Sequence, residues 1–263
     1  MRTNTLKHAW KDQKPTLGLW VSCDNPVQTE QLADLDFDYV CVDLQHGLID
    51  YSGALAAMQA MRHSDAIPLC RAPWNEPGII GKLLDAGALG IIIPMVNTAE
   101  QCEAAVSACR YAPRGGRSFG PTRAATVHGP SYYDEVNDEV ACIPMIETVE
   151  ALENLDAILD VEGVDAVYVG PADLSISLGL PPGSDQDAKS FTDALSAIVA
   201  ACEQRGIAPG IHTTPTLAPK RIEQGFKLLT VTSDLGAAAS GARDGLRVAR
   251  SGTGAADQSE RMY

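Results

Sequence analysis

Short β-like apolar runs alternate along the chain with longer stretches in which apolar residues recur at helical spacing. The short runs predict strands at 16–22 (TLGLWVS), 38–43 (DYVCVD), 67–71, 90–93, 140–146, 166–169, 207–211 and 227–231. Helical spacing predicts helices at 26–35, 51–62, 76–86, 98–110, 149–159, 188–205, 215–223 and 235–249. In the second of these, Leu55, Met58 and Met61 share a face. The third stops at Gly87, a C-terminal glycine. The Pro-, Gly- and Arg-rich stretch 112–130 predicts a long functional loop, with a short helix at 132–136 after it and a further turn of helix from Ala172.

Strands alternating with helices imply parallel strands joined by crossover helices. Eight such units in about 250 residues favour a closed (β/α)8 barrel over an open doubly wound sheet. No shift in composition marks a second domain. Residues 1–250 therefore read as one barrel domain, and the Gly/Ser-rich segment 251–263 as a flexible tail.

The formal net charge of −14 disfavours nucleic acid and anionic membranes as partners. It does not exclude an anionic substrate, because a bound metal reverses the local field. The 7 cysteines are odd in number and form no CxxC pair. Cys41, Cys70 and Cys142 lie inside apolar runs, as thiols do in a reducing cytoplasm. The opening segment MRTNTLKHAWKDQ lacks the apolar core of a signal peptide, and no stretch is long and apolar enough to span a membrane. The expected location is the cytoplasm.

Barrel chemistry gathers where strands end. Here those ends carry Trp20, then Asp43-Leu44-Gln45-His46, Arg71, Pro94-Met95, Glu147, Gly170-Pro171-Ala172-Asp173 and His212. Glu147 and Asp173 are a candidate metal pair, since hard divalent ions prefer carboxylates and keep positions open for substrate. The plainer alternative for each is a helix cap. His46 is a candidate acid/base, because imidazole titrates near neutrality. Asp85 is a candidate to orient it; the alternative is an ordinary helix-surface acid. Arg71 is suited to an oxyanion, and also to an ion pair with Asp43, the two roles being compatible. Gly170-Pro171-Ala172-Asp173 runs into a helix whose backbone N–H groups suit a carboxylate.

Together these positions resemble the HpcH/HpaI aldolase family. The matching pieces are GLW at 18–20, FDYVCVDLQHG at 37–47, Arg71, LLDAGALGIIIPMV at 83–96 and RYAPRGGRSFG at 110–120. MIET at 145–148, NLDAILDVEGVDAVYVGPADLSISLG at 154–179 and GIHTTP at 210–215 complete the set, in family order over nearly the whole chain. The resemblance implies a pyruvate-binding (β/α)8 barrel and a class II aldolase. Such an enzyme cleaves a 4-hydroxy-2-oxo acid to pyruvate, or a close 2-oxo acid, and an aldehyde. It implies Glu147 and Asp173 as ligands to Mg²⁺, Mn²⁺ or Co²⁺, His46 as acid/base with Asp85 paired to it, and Arg71 on the keto oxygen. Gly170, Pro171, Ala172 and Asp173 then cradle the carboxylate and Trp20 lines the pocket. It also implies homo-oligomers, hexamers or trimers of dimers, with the last helix exchanged between subunits.

This chain departs from the family where Gln45 replaces a frequent acid and Met145 a frequent glutamine. His212 is unassigned: it is either a substrate contact or, the reading favoured here, a satisfied strand-end histidine. Two other functions fit less well. A CoA-ester lyase of the citrate lyase β type needs basic contacts for phosphates, for which the arginines of 110–123 are the candidates. A non-catalytic 2-oxo-acid-binding barrel would have no need of His46, Arg71, Asp85, Glu147 and Asp173 together.

Overall fold

The computed structural model describes residues 1–251; apart from Ser251, the tail expected at 251–263 lies outside the described residues. The strands are β1 (Thr16–Val21), β2 (Tyr39–Asp43), β3 (Ile67–Arg71), β4 (Gly90–Ile93), β5 (Ala141–Pro144), β6 (Ala166–Val169), β7 (Ala208–His212) and β8 (Leu228–Ser233). All paired neighbours are parallel, in the order β5-β4-β3-β2-β1-β8-β7-β6. The two outer strands meet at a parallel bridge between Met145 and Tyr168. There Ile146 N–H donates to the Tyr168 carbonyl at 2.9 Å, and Asp165 N–H to the Cys142 carbonyl at 3.1 Å. The sheet thus curls round into a (β/α)8 barrel, as the alternation predicts.

Successive strand side chains point to opposite faces, and the barrel turns that alternation into two cores. Val40 and Val42 of β2 pack outward against helices, whereas Tyr39 and Cys41 point into the barrel. In β6, Val167 and Val169 face outward while Ala166 and Tyr168 face inward. Gly18 in β1 is required by the inner core: a Cβ there would stand 2.2 Å from the Tyr39 ring.

The helix Thr5–Lys11 was not foreseen from the sequence. Its Leu6 and Trp10 join the inner core, and Trp10 Nε1–H donates to Thr16 Oγ1 at 3.0 Å, beside the start of β1. Asn4 caps this helix by accepting from Leu6 N–H and anchors it through Nδ2 to the carbonyls of Leu89 and Glu139. Seven residues are too few for a helical period to stand out. Elsewhere the differences are local. The long loop contains a helix at Ala124–His128, the short helix after it runs over Tyr132–Glu139, and the helix expected at 149–159 divides into Val149–Glu153 and Leu155–Leu159.

The last helix, Asp234–Ser251, is tied to the barrel at its first residue. The buried Asp234 carboxylate accepts from Ser22 N–H at 3.1 Å and Cys23 N–H at 2.9 Å. Beyond it the helix is largely exposed, including Leu235, Leu246 and Val248. Its exchange between subunits, which the resemblance implies, is not seen in a single chain. No described helix is long and apolar enough to cross a membrane.

Trp10→Ala should destabilise the fold by about 3–5 kcal/mol, the cost of emptying a large aromatic site in a core. Urea unfolding measures this; a loss under about 1 kcal/mol would show that Trp10 does not close the inner core.

Candidate active site

At the C-terminal ends of the strands lies a cavity of about 220 Å³. Its lining includes Trp20, His46, Arg71 and the run Gly170-Pro171-Ala172-Asp173, all singled out from the sequence. It also includes Met145, Tyr168 and His212, and Gly183 and Ser184 from the following loop. Among the described lining residues there is no lysine.

Asp43, the last residue of β2, organises one wall. Its carboxylate takes a two-point contact from Arg71, Nε to Oδ1 at 2.8 Å and Nη2 to Oδ2 at 2.6 Å. Trp20 Nε1–H donates to Oδ2 at 3.2 Å, and the backbone N–H groups of Gln45 and His46 donate to Oδ1 at 3.0 and 3.3 Å. Burial pushes the Asp43 carboxyl up, but the Arg71, Trp20 and backbone donors outweigh it and hold it below the ordinary carboxylate range. Asp43 and Arg71 sit side by side because β2 and β3 are paired in that register. The Arg71 guanidinium also stands 5.0 Å from the centre of the Trp20 ring. His46 is exposed on the loop after β2, its start fixed by Asp43.

The acidic pair occupies the other side. Glu147 is buried, and its Oε1 accepts from Met95 N–H at 2.9 Å. Met95 has φ of 56°, a left-handed conformation that costs a non-glycine residue about 1 kcal/mol or more. Burial pushes the Glu147 carboxyl up to about 7; the negative Asp173 adds to this, while the Met95 N–H and Arg71 oppose it. Gly170 makes the space: a Cβ there would stand 2.4 Å from Glu147 Oε2. A buried acid whose proton affinity is raised by burial and by a neighbouring carboxylate fits a divalent cation, which would displace the proton. Among the described residues no three or more His, Cys, Asp or Glu side chains form a metal cluster, so an ion held here would have Glu147 and Asp173 as its carboxylates from this chain. The remaining coordination positions would fall to substrate and water.

Asp85 is not part of this assembly within one chain. It ends the helix Pro77–Ala86, and a crossover helix runs antiparallel to the strands, so Asp85 lies towards the face where β4 starts. There its carboxylate pairs with the buried Arg117 at 2.5 Å and lines a separate flank cavity of about 800 Å³. Spacing along the chain gives no sense of which end of the barrel a helix end reaches.

The arginines of the long loop are also committed. Arg110 pairs with Asp165 at 2.7 Å, Arg114 with Asp138 at 2.5 Å and Arg117 with Asp85. Arg123 donates to the carbonyls of Ala86 and Met58. These contacts hold the loop to the barrel and leave the CoA-lyase reading without its expected phosphate contacts there.

Tyr168, not singled out from the sequence, lines the cavity together with His212. Tyr168 stacks on Trp20 with ring centres 5.7 Å apart, and His212 meets Trp20 edge-on at 5.2 Å. The available signal was the inward parity of Tyr168 within β6. Gln45 Oε1 is buried without a protein partner, while Met145 is buried against the cavity.

A family model described as HpcH/HpaI aldolase/citrate lyase matches residues 16–240. The chain is 37% identical over 248 residues, 94% of its length and 99% of the relative's, to the hydroxypyruvate/pyruvate aldolase of Rhizorhabdus wittichii. It is 35% identical over 265 residues, 99% of each chain, to the 4-hydroxy-2-oxo-heptane-1,7-dioate aldolase of Klebsiella pneumoniae. Among solved structures, an HpcH/HpaI aldolase/citrate lyase family protein from Burkholderia cenocepacia superposes with a TM-score of 0.88 at 31% identity, covering 94% of this chain and 100% of that one.

Asp43→Asn should cost about 3–5 kcal/mol in urea unfolding, because the neutral amide strands the half-buried Arg71 charge. Restoration of most of that stability by adding Arg71→Met would confirm that the loss comes from the stranded charge; equal loss in the double variant would refute it.

Proposed function

This chain belongs to the HpcH/HpaI aldolase/citrate lyase family, and from that membership we propose that it is a metal-dependent class II aldolase. It cleaves a 4-hydroxy-2-oxo acid to pyruvate, or a close 2-oxo acid, and an aldehyde, and runs the reverse condensation. The observation that carries this reading is one cavity lined by His46, Arg71 and Asp173, with Glu147 set behind Gly170 and no lysine among the described lining residues.

Glu147 and Asp173 are the residues to hold Mg²⁺, Mn²⁺ or Co²⁺. What such an ion supplies when bound is Lewis-acid polarisation of the 2-oxo acid. The chain's own groups account for the rest. The backbone at Ala172 and Asp173 receives the substrate carboxylate, beside Gly170 and Pro171. In cleavage the C3–C4 bond breaks and its electron pair passes to C3, giving the enolate. The C4 hydroxyl becomes the aldehyde carbonyl, and its proton goes to His46 directly or through water. Arg71, oriented by Asp43, stabilises the negative charge on the former keto oxygen. Protonation at C3 releases the 2-oxo acid. Trp20, 5.0 Å from the Arg71 guanidinium, lines the pocket beside it.

We also assign an oligomer. The last helix leaves Leu235, Leu246 and Val248 exposed, a face that a second copy would cover. Asp85 lies towards the far end of its own barrel, so its pairing with His46 is assigned to a neighbouring copy. Leu246→Arg with Val248→Arg should lower the mass seen by sedimentation; an unchanged mass would remove the helix from the interface.

Pyruvate release from 4-hydroxy-2-oxo acids should stop with EDTA and return with Mg²⁺ or Mn²⁺. Glu147→Ala should lower kcat/KM about a hundredfold or more. Absence of metal-dependent release from a broad substrate panel, by folded protein, would overturn the aldolase reading.

A further inference from the structure

His212 is half-buried in the cavity wall, and the polar groups behind it determine which proton it carries. Tyr168 O–H donates to Thr230 Oγ1 at 2.6 Å, and Thr230 Oγ1 lies 2.9 Å from Tyr39 Oη. All three side chains are buried inside the barrel. Tyr168 Oη stands 3.4 Å from His212 Nδ1. A phenol has one proton, and that of Tyr168 is given to Thr230. The contact with His212 is therefore satisfied when Nδ1 carries the hydrogen and Tyr168 oxygen accepts it. Burial and the nearby Arg71 charge lower the imidazole pKa to about 4, with Asp43 opposing them, so the ring is neutral near pH 7. A neutral ring with its proton on Nδ1 presents a lone pair on Nε2. No protein hydrogen bond reaches Nε2 among the described residues. The Trp20 edge contact fixes the plane of the ring.

We infer that His212 is a specificity residue that accepts a hydrogen bond through Nε2 from a hydroxyl group on the substrate. The site then prefers hydroxylated reactants over their deoxy counterparts. This inference rests on the aldolase reading above. An acceptor on a residue that lines a restricted cavity rewards a partner that donates, and is left unpaired by one that cannot. The pocket is otherwise poor in acceptors at this wall: Met145 and Trp20 offer apolar surface, and Trp20 Nε1 is already bound to Asp43. Tyr168 is a positioning residue, acting on substrate through the tautomer of His212.

The hydroxyl can belong to the 2-oxo acid or to the aldehyde, and two matched pairs separate these sources. Hydroxypyruvate is compared with pyruvate using a fixed aldehyde, and glycolaldehyde with acetaldehyde using pyruvate. The readout is the ratio of kcat/KM for the hydroxylated reactant to that for its deoxy partner, which cancels any loss common to both. In His212→Phe this ratio should fall about tenfold or more in one pair, naming the source. His212→Gln, which keeps an acceptor oxygen, should hold the ratio within about threefold of the parent protein. Tyr168→Phe should lower the ratio by a smaller factor in the same pair. Should His212→Phe fail to fold, His212→Leu takes its place, with thermal melts confirming the fold of each variant. Unchanged ratios in both pairs, or a ratio lost equally in His212→Gln, would overturn the inference. Turnover of pyruvate with acetaldehyde by the parent protein tests the aldolase reading separately, since that pair contains no reactant hydroxyl for His212 to accept.

Discussion

The Asp43 carboxylate is the constraint on which the rest of the site depends. A buried acid at the end of a strand is costly unless its lone pairs are filled. Here they are filled by the groups that chemistry needs to have placed: the Arg71 guanidinium, the Trp20 indole and the start of the loop carrying His46. Removing water from the ion pair also fixes its geometry, since Arg71 cannot rotate without breaking a two-point contact. Cavity residues from β1, β3 and the loop after β2 thus share one anchor, and the pairing register sets the spacing of Trp20, Asp43 and Arg71.

The opposite wall is built on the reverse principle. Asp43 is neutralised by the protein, whereas Glu147 is left with Asp173 as a neighbour and a proton affinity raised by burial. The strained Met95 and the missing side chain of Gly170 both serve this acid, one giving it a hydrogen bond and the other making room. An acid paired with a protein cation, beside two acids that lack one among the described residues, makes an asymmetric site. One side orients a cation of the protein's own, and the other is suited to one from solution.

Between the walls, the barrel interior connects distant strands. Tyr39 from β2, Thr230 from β8, Tyr168 from β6 and His212 from β7 form a polar line through an otherwise apolar core. Buried polar chains are stable only when each member finds a partner, and that requirement carries the choice of tautomer from the core to the cavity. The same core needs Gly18 beneath Tyr39 and the Leu6 and Trp10 side chains packed into it.

The barrel and most strand-end chemistry were legible in the sequence because both follow from local rules. Alternation marks strands, helical spacing marks crossovers, and a residue's place at a strand end follows directly. Trp20, His46, Arg71 and the Gly170–Asp173 run were recognisable for that reason and share one cavity, with Glu147 against Gly170. Three features were decided only in three dimensions. The N-terminal helix owes its stability to the inner core it packs into, not to its own short period. Asp85 reads as a neighbour of His46, yet the antiparallel course of its helix carries it towards the other end of the barrel. His212 reads as a strand-end histidine, and only the chain of hydroxyls from Tyr39, Thr230 and Tyr168 on three other strands bears on which ring nitrogen carries its proton. Local patterning specifies what each segment becomes, whereas the direction of a helix and the partner of a buried proton depend on residues far away along the chain.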